Sequence, residues 1–221
     1  MFDNISGKYD LLNHLLSFGI DRIWRKKAIE LLRPYHPRFI LDIATGTGDF
    51  AIQALNLDPD LIIGVDISEG MIEQGRQKIN KRNLHDKIEL KKGDSENLAF
   101  QDNKFDAVIV AFGVRNFERL DNGLSEMLRV LSENGKMIIL EFSKPSKFPF
   151  RQIYNVYFTR ILPLVGRLVS RDHSAYSYLP ESVQAFPEGD DFLKILSDIG
   201  FKDTRCIPLT FGISSIYIGT K

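Results

Sequence analysis

Cysteine is all but absent from this chain of 221 residues: Cys206 is the only one. A single thiol excludes an intramolecular disulfide framework and a thiolate metal cluster. Between Arg205 and Ile207, in what reads as a strand, it is expected to be a buried structural thiol rather than a nucleophile. Net charge is absent too. Lys and Arg number 29 and Asp and Glu 29, so nothing global draws the chain to nucleic acid or anionic lipid. No stretch of about 18 uncharged apolar residues occurs, so no transmembrane helix is expected. The longest apolar tract, 148–169, is interrupted by Arg151, Arg160 and Arg167. The opening MFDNISGKYD has neither the basic nor the apolar region of a secretory signal. No His/Asp/Glu cluster has metal-ligand spacing, so no metal is expected. These gaps point to a soluble cytoplasmic protein without a nucleic-acid partner. What is present, 43% apolar and 26% charged residues, suits one globular domain.

Along the chain, residues 8–33 carry apolar side chains at helical spacing, interrupted at Phe18-Gly19 and stopped by Pro34 and Pro37, which predicts two helices. A regular alternation follows. Strands are expected over Phe39–Ala44, Leu61–Asp66, Lys87–Lys92, Phe105–Ala111 and Lys136–Phe142. Helices are expected over Asp49–Asn56, from the cap Ser68 to about Arg82, and over Leu120–Leu131. The alternating polarity of the third strand places it near a sheet edge, and the apolar fourth strand belongs in the centre. Further helices are expected over 147–169 and 189–199. The last two strands, Phe201–Ile207 and Ile213–Thr220, are separated by about five residues. That gap is too short for a helical crossover, so they must pair antiparallel. The fold class is therefore α/β: a Rossmann-like sheet of seven strands, mostly parallel, with helices on both faces and an antiparallel pair at the end.

The chemistry gathers after the strands. Strand one runs into Leu41-Asp42-Ile43-Ala44-Thr45-Gly46-Thr47-Gly48-Asp49. Small residues there let the backbone turn sharply and let a ligand approach it. A pyrophosphate site wants a third glycine, and Ala51 at that position leaves this reading open. Asp49, however, puts a carboxylate where a pyrophosphate would sit. A neutral or cationic ligand fits better, and S-adenosylmethionine, a sulfonium without phosphate, is such a ligand. A plain tight turn is the bland alternative. Asp66 ends strand two, where a carboxylate accepts from both ribose hydroxyls of an adenosine cofactor; helix capping competes, but Ser68 already fills that role. Gly93-Asp94-Ser95 ends strand three, and could address the adenine ring or be a surface turn.

With those residues in place, the chain resembles the class I S-adenosylmethionine-dependent methyltransferases. More narrowly, it resembles the quinone-biosynthesis C-methyltransferases that act on demethylmenaquinol or polyprenyl-benzoquinol rings. The marks are Lys8-Tyr9-Asp10, Trp24-Arg25, LDIATGTGD at 41–49, VDIS at 65–68, FGVRN at 112–116, EFSKP at 141–145 and YLPES at 178–182. Ala44 stands where many methyltransferases carry glycine, and Ala111 where some relatives carry serine. The resemblance implies donor contacts at Thr47, Asp66, Asp94 and Ser95, with Asp42, Gly46 and Gly48 in the same loop. It also implies a prenylated quinol substrate in menaquinone synthesis, or the equivalent benzoquinol step of ubiquinone synthesis. One domain, 1–221, is then expected. It comprises an N-terminal helical flap (1–37), a cofactor-binding core (38–143), a substrate-covering insertion (144–188) and a closing helix with antiparallel strands (189–221).

Methylation of a quinol carbon requires alignment with the donor, a base, and a group that stabilises a phenolate-like oxygen. Arg115 and Asn116, just past strand four, are the expected catalytic pair, with Asp49 as a proton acceptor. Arginine is too basic to be a direct base at neutral pH, so Arg115 is expected to polarise a water or the substrate hydroxyl. His173 and then His14 are the alternative bases, while His36 and His85 lie in polar loops. The aromatic tract 148–169 is either a packed insertion helix or, with the flap, a channel for the prenyl tail. In the second case its arginines would give weak, salt-sensitive membrane contact. The oligomeric state is not legible, and a homodimer stays open. A nicotinamide-dependent oxidoreductase and a non-enzymatic scaffold are the rival readings.

Overall fold

The structure, a computed structural model, describes residues 19–145, 147–156 and 181–221. The first of the two helices expected before residue 37, the stretch 157–169 and the candidate bases His14 and His173 lie outside the described residues. Seven strands form one sheet: β1 (Phe39–Ile43), β2 (Leu61–Asp66), β3 (Ile88–Lys92), β4 (Phe105–Ala111), β5 (Leu131–Phe142), β6 (Lys202–Leu209) and β7 (Ser214–Thr220). Their spatial order is β3-β2-β1-β4-β5-β7-β6. The first five pair parallel, and β7 pairs antiparallel with both β5 and β6. As the polarity patterns required, β3 is an edge strand and β4 the middle one.

The helices are α1 (Ile20–Glu30), α2 (Asp49–Ala54), α3 (Glu69–Lys81), α4 (Leu120–Val130), α5 (Phe150–Val156) and α6 (Asp190–Ile199), with a short helical segment over 181–185. Strand side chains alternate between two cores because the pleat has a period of two. Ile40, Ile62 and Ile138 face Trp24 and Ala28 of α1, Phe50 and Ala51 of α2, and Ile72 and Ile79 of α3. Leu41, Ile43, Val108 and Ile139 face Leu124 and Met127 of α4, and Phe192 and Leu196 of α6. The near-continuous apolar runs of β1, β2 and β4 follow from burial on both faces.

Two boundaries and one burial differ from expectation in ways that have a physical cause. The second helix ends at Ala54 and tightens into a 3₁₀ turn over Leu55–Leu57. β5 begins at Leu131, directly after α4, where Leu131 pairs with Phe105 before the register shifts at a turn holding Asn134 at φ +63°. Cys206 is only half-buried, because β6 is an edge strand; burial still pushes its thiol up.

Parallel strands deliver their carboxyl ends to one edge of the sheet. The connections reverse direction between β1 and β4, and such a switch point opens a crevice between the two following loops. Those loops are 44–48 and 112–116.

Candidate active site

A cavity of about 340 Å³ opens at this switch point, within the size range of small-molecule sites. Its wall begins with the loop after β1. Ala44, Gly46 and Gly48 all take positive φ, at +52°, +55° and +82°. The alanine is the costly one, since a Cβ disfavours this region by about 1–2 kcal/mol. Its methyl is accommodated because Gly113 stands opposite: a Cβ on Gly113 would lie 2.5 Å from that of Ala44. Gly48 caps α2 and faces Leu90 and Ile79 beneath the loop rather than the cavity.

Asp66, at the end of β2, accepts from the backbone of Gly46 on Oδ2 at 2.8 Å and of Ser68 on Oδ1 at 2.9 Å. These bonds orient the carboxylate on the cavity wall. Ser68 itself accepts from the Met71 amide and caps α3, as the sequence suggested. Asp94 is exposed at the rim and accepts from the Glu96 amide at 2.9 Å.

Asp42 lies deepest. It is 1% exposed, and its Oδ2 accepts from the Thr45 hydroxyl at 2.6 Å and the Ala51 amide at 3.0 Å. Its Oδ1 is buried and, among the described residues, without a partner. Burial pushes its carboxyl up to about 7, against the lowering effect of those bonds and of Arg25. A cationic ligand group beside Oδ1 would satisfy both the vacant acceptor and the charge. On the outer wall Lys78 of α3 donates to Thr47 Oγ1 at 2.7 Å and to Asp49 Oδ1 at 2.8 Å, tying α3 to the glycine loop.

The second wall is the turn after β4. Phe112 takes φ +60°, a strained state for an aromatic residue. Its ring lies 4.5 Å from that of Phe142 and 6.3 Å from Trp24 on α1. Asn116 faces the cavity. Arg115 does not: its side chain is 6% exposed and lies behind the wall. Its Nη1 donates to Glu141 Oε1 at 2.8 Å and to the Phe112 carbonyl at 2.5 Å, and its backbone amide donates to Glu141 Oε2 at 3.3 Å.

Of the residues expected at the site, Asp42, Gly46, Thr47, Asp49, Asp66, Asp94, Ser95 and Asn116 line the cavity, whereas Gly48 and Arg115 stand behind it. Reasoning from sequence missed the lining residues Arg25, Ile67, Met71, Phe117, Glu118 and Arg119. Among the described residues, six carboxylates line the wall (Asp42, Asp49, Asp66, Asp94, Glu96 and Glu118) against two guanidinium groups, Arg25 and Arg119. That balance favours a cationic ligand over a phosphate. The open glycine loop, the vacant Asp42 oxygen and the carboxylates after β2 and β3 fit an adenosyl sulfonium.

A doubly wound sheet that closes with an antiparallel strand, with an acidic cavity at its switch point, defines the class I methyltransferase architecture. In keeping with this, a SAM-dependent methyltransferase from Thermotoga maritima superposes with a TM-score of 0.67 at 19% identity, covering 100% of this chain and 98% of that one. The chain belongs to the ubiE/COQ5 methyltransferase family, whose model matches residues 1–221. It is 52% identical to a demethylmenaquinone methyltransferase of Bacteroides fragilis, over all of this chain and 91% of that protein. It is 45% identical to the ubiquinone/menaquinone biosynthesis C-methyltransferase UbiE of Geobacter sulfurreducens, over all of this chain and 87% of that protein.

Proposed function

We propose that this methyltransferase uses S-adenosylmethionine to methylate a ring carbon of a prenylated quinol, converting a demethylmenaquinol to a menaquinol. The observation that carries this reading is the acidic cavity at the β1/β4 switch point in a chain 52% identical, over its whole length, to a demethylmenaquinone methyltransferase. The benzoquinol step of ubiquinone synthesis is the second reading, favoured by the likeness to UbiE.

In this reading Asp66 takes the ribose hydroxyls, Asp94 and Ser95 the adenine, and Asp42 the ammonium of the donor's amino-acid end. The Gly46, Thr47 and Gly48 backbone gives close approach. When bound, the donor supplies an electrophilic methyl group on a sulfonium sulfur. The chain's own task is to align the quinol and increase the electron density of its ring. Asn116 is the group that meets the quinol oxygen. Arg115 polarises that oxygen only through the turn it braces, since direct contact would require it to leave Glu141. Asp49, held by Lys78 at the wall, accepts the proton through a water.

The prenyl tail would leave the cavity toward the lipid. Among the described residues no helix is long and apolar enough to cross a membrane. Phe148 and Phe211 are 80% and 66% exposed, however, and Phe150 stacks on Phe211 at 3.7 Å. The turn that carries Phe211 precedes β7, at the same sheet edge as the cavity. These rings favour a weak contact with the bilayer surface. The whole-cell test is mass spectrometry of quinones in cells lacking this chain. Accumulation of a demethylated naphthoquinone supports the menaquinone role, a demethylated benzoquinone supports the second reading, and an unchanged quinone profile overturns both.

A further inference from the structure

Among the described residues, Arg25 is the one cation that is both buried and part of the cavity wall. It is 7% exposed on the inner face of α1. Its guanidinium lies 5.6 Å from the centroid of the Phe112 ring, so packing fixes its position. One nitrogen, Nη1, is held by Asp21 Oδ2 at 2.6 Å, and Asp21 is itself 1% exposed. The Nε is buried and, among the described residues, without a partner. Asp42, which lines the same cavity, is in the complementary condition, with Oδ2 engaged and Oδ1 without a partner among the described residues. Among the described residues no ion pair joins Arg25 to Asp42, although the positive charge of Arg25 is felt at Asp42.

A buried donor and a buried acceptor of opposite charge, each left with an unused bond in one cavity wall, call for a ligand that carries both charges. An α-amino acid end does so on a single carbon. We propose that Arg25 holds the carboxylate of the donor's amino-acid end, opposite the ammonium taken by Asp42. This inference rests on the reading of S-adenosylmethionine as the donor. It adds that α1, outside the alternating core of the sheet, supplies a specificity-determining contact. A second consequence follows from the packing. Arg25 is stacked on Phe112, whose backbone begins the turn that presents Asn116. The carboxylate clamp therefore braces the wall against which the quinol lies.

The test is calorimetric titration of the full chain with three ligands: S-adenosylhomocysteine, its decarboxylated analogue, which keeps the amine, and 5′-methylthioadenosine, which lacks the amino-acid end. The wild type is expected to bind S-adenosylhomocysteine on the order of ten- to a hundredfold more tightly than the decarboxylated analogue, the loss of one charge-assisted bond. Arg25→Gln should lower S-adenosylhomocysteine to the affinity of the analogue and leave the analogue unchanged. The variant Asp21→Asn/Arg25→Gln, which also removes the buried negative charge that Arg25 faces, should behave alike and guards against misfolding. Equal weakening of all three ligands in both variants would mark Arg25 as structural and overturn the assignment. So would unchanged S-adenosylhomocysteine affinity with lost turnover, which would move Arg25 to the quinol. A wild type that binds S-adenosylhomocysteine without discriminating against the decarboxylated analogue overturns the clamp alone. A wild type that binds none of the three overturns the donor reading as well.

Discussion

Arg115→Met would leave Glu141 with its carboxylate buried and its counter-charge gone. The Glu141 side chain is 0% exposed and that of Arg115 6%, so solvent cannot replace the guanidinium. Breaking a buried pair from one side costs about 3–5 kcal/mol. The backbone amides of Phe142 and Arg115 still donate to the carboxylate, at 2.9 and 3.3 Å, which puts the expected loss near the lower end, about 3 kcal/mol. For a chain of this size each kcal/mol lowers the melting temperature by about 2–4 °C, so a fall of about 6–12 °C is expected by circular dichroism. Arg115→Met/Glu141→Leu removes both charges and should regain most of that loss. Turnover should fall on the order of a hundredfold in both variants, as for loss of an oxyanion donor, because the turn carrying Asn116 is no longer braced. Donor affinity should hold. A single variant that melts like the wild type would refute the buried-pair argument. Full activity in Arg115→Lys would refute the need for the guanidinium fork.

Asp66→Ala should weaken S-adenosylhomocysteine binding more than tenfold by calorimetry, since it removes charge-assisted bonds of about 1.5–3 kcal/mol each; unchanged affinity would remove Asp66 from the site. Burial raises the Asp42 carboxyl to about 7, so the folded state holds this proton more tightly than the unfolded one. Its contribution to stability is therefore favourable at acid pH and is lost as pH rises from about 4 to about 7. The difference in melting temperature between wild type and Asp42→Asn should trace that window, and donor affinity should rise through neutral pH in the wild type only. Gly113→Ala should clash with the Ala44 methyl at 2.5 Å and destabilise by about 1–3 kcal/mol. Adding Ala44→Gly, which also relieves a positive φ, should restore the melting temperature.

The alternation of strands and helices was legible because each β-strand of the core is a short apolar run closed by a turn, and periodicity reports burial directly. The edge position of β3 and the central one of β4 were legible for the same reason. The insertion of β7 between β5 and β6 was not. A short connection requires antiparallel pairing but does not say which strand meets the rest of the sheet. At the site, Asp42, Asp66 and Asp94, at or beside the carboxyl ends of β1, β2 and β3, line the cavity, and a position at a strand end can be read from sequence. Arg115 was not, because its direction is set by the positive φ of Phe112 and by Glu141, which lies 26 residues away. Arg25 escaped notice as a lining residue for a similar reason. Its Trp24-Arg25 mark was visible, but only the packing of α1 against Phe112 brings it to the cavity.

The central claim is the transfer of a methyl group to a quinol carbon. Its most direct test is incubation of the purified chain with S-adenosylmethionine labelled on the methyl group and a reduced demethylmenaquinone, followed by mass spectrometry and NMR of the product. The account predicts label on the ring carbon of the naphthoquinol and stoichiometric S-adenosylhomocysteine. Label on a quinol oxygen, or no transfer under conditions where the donor binds, would contradict it.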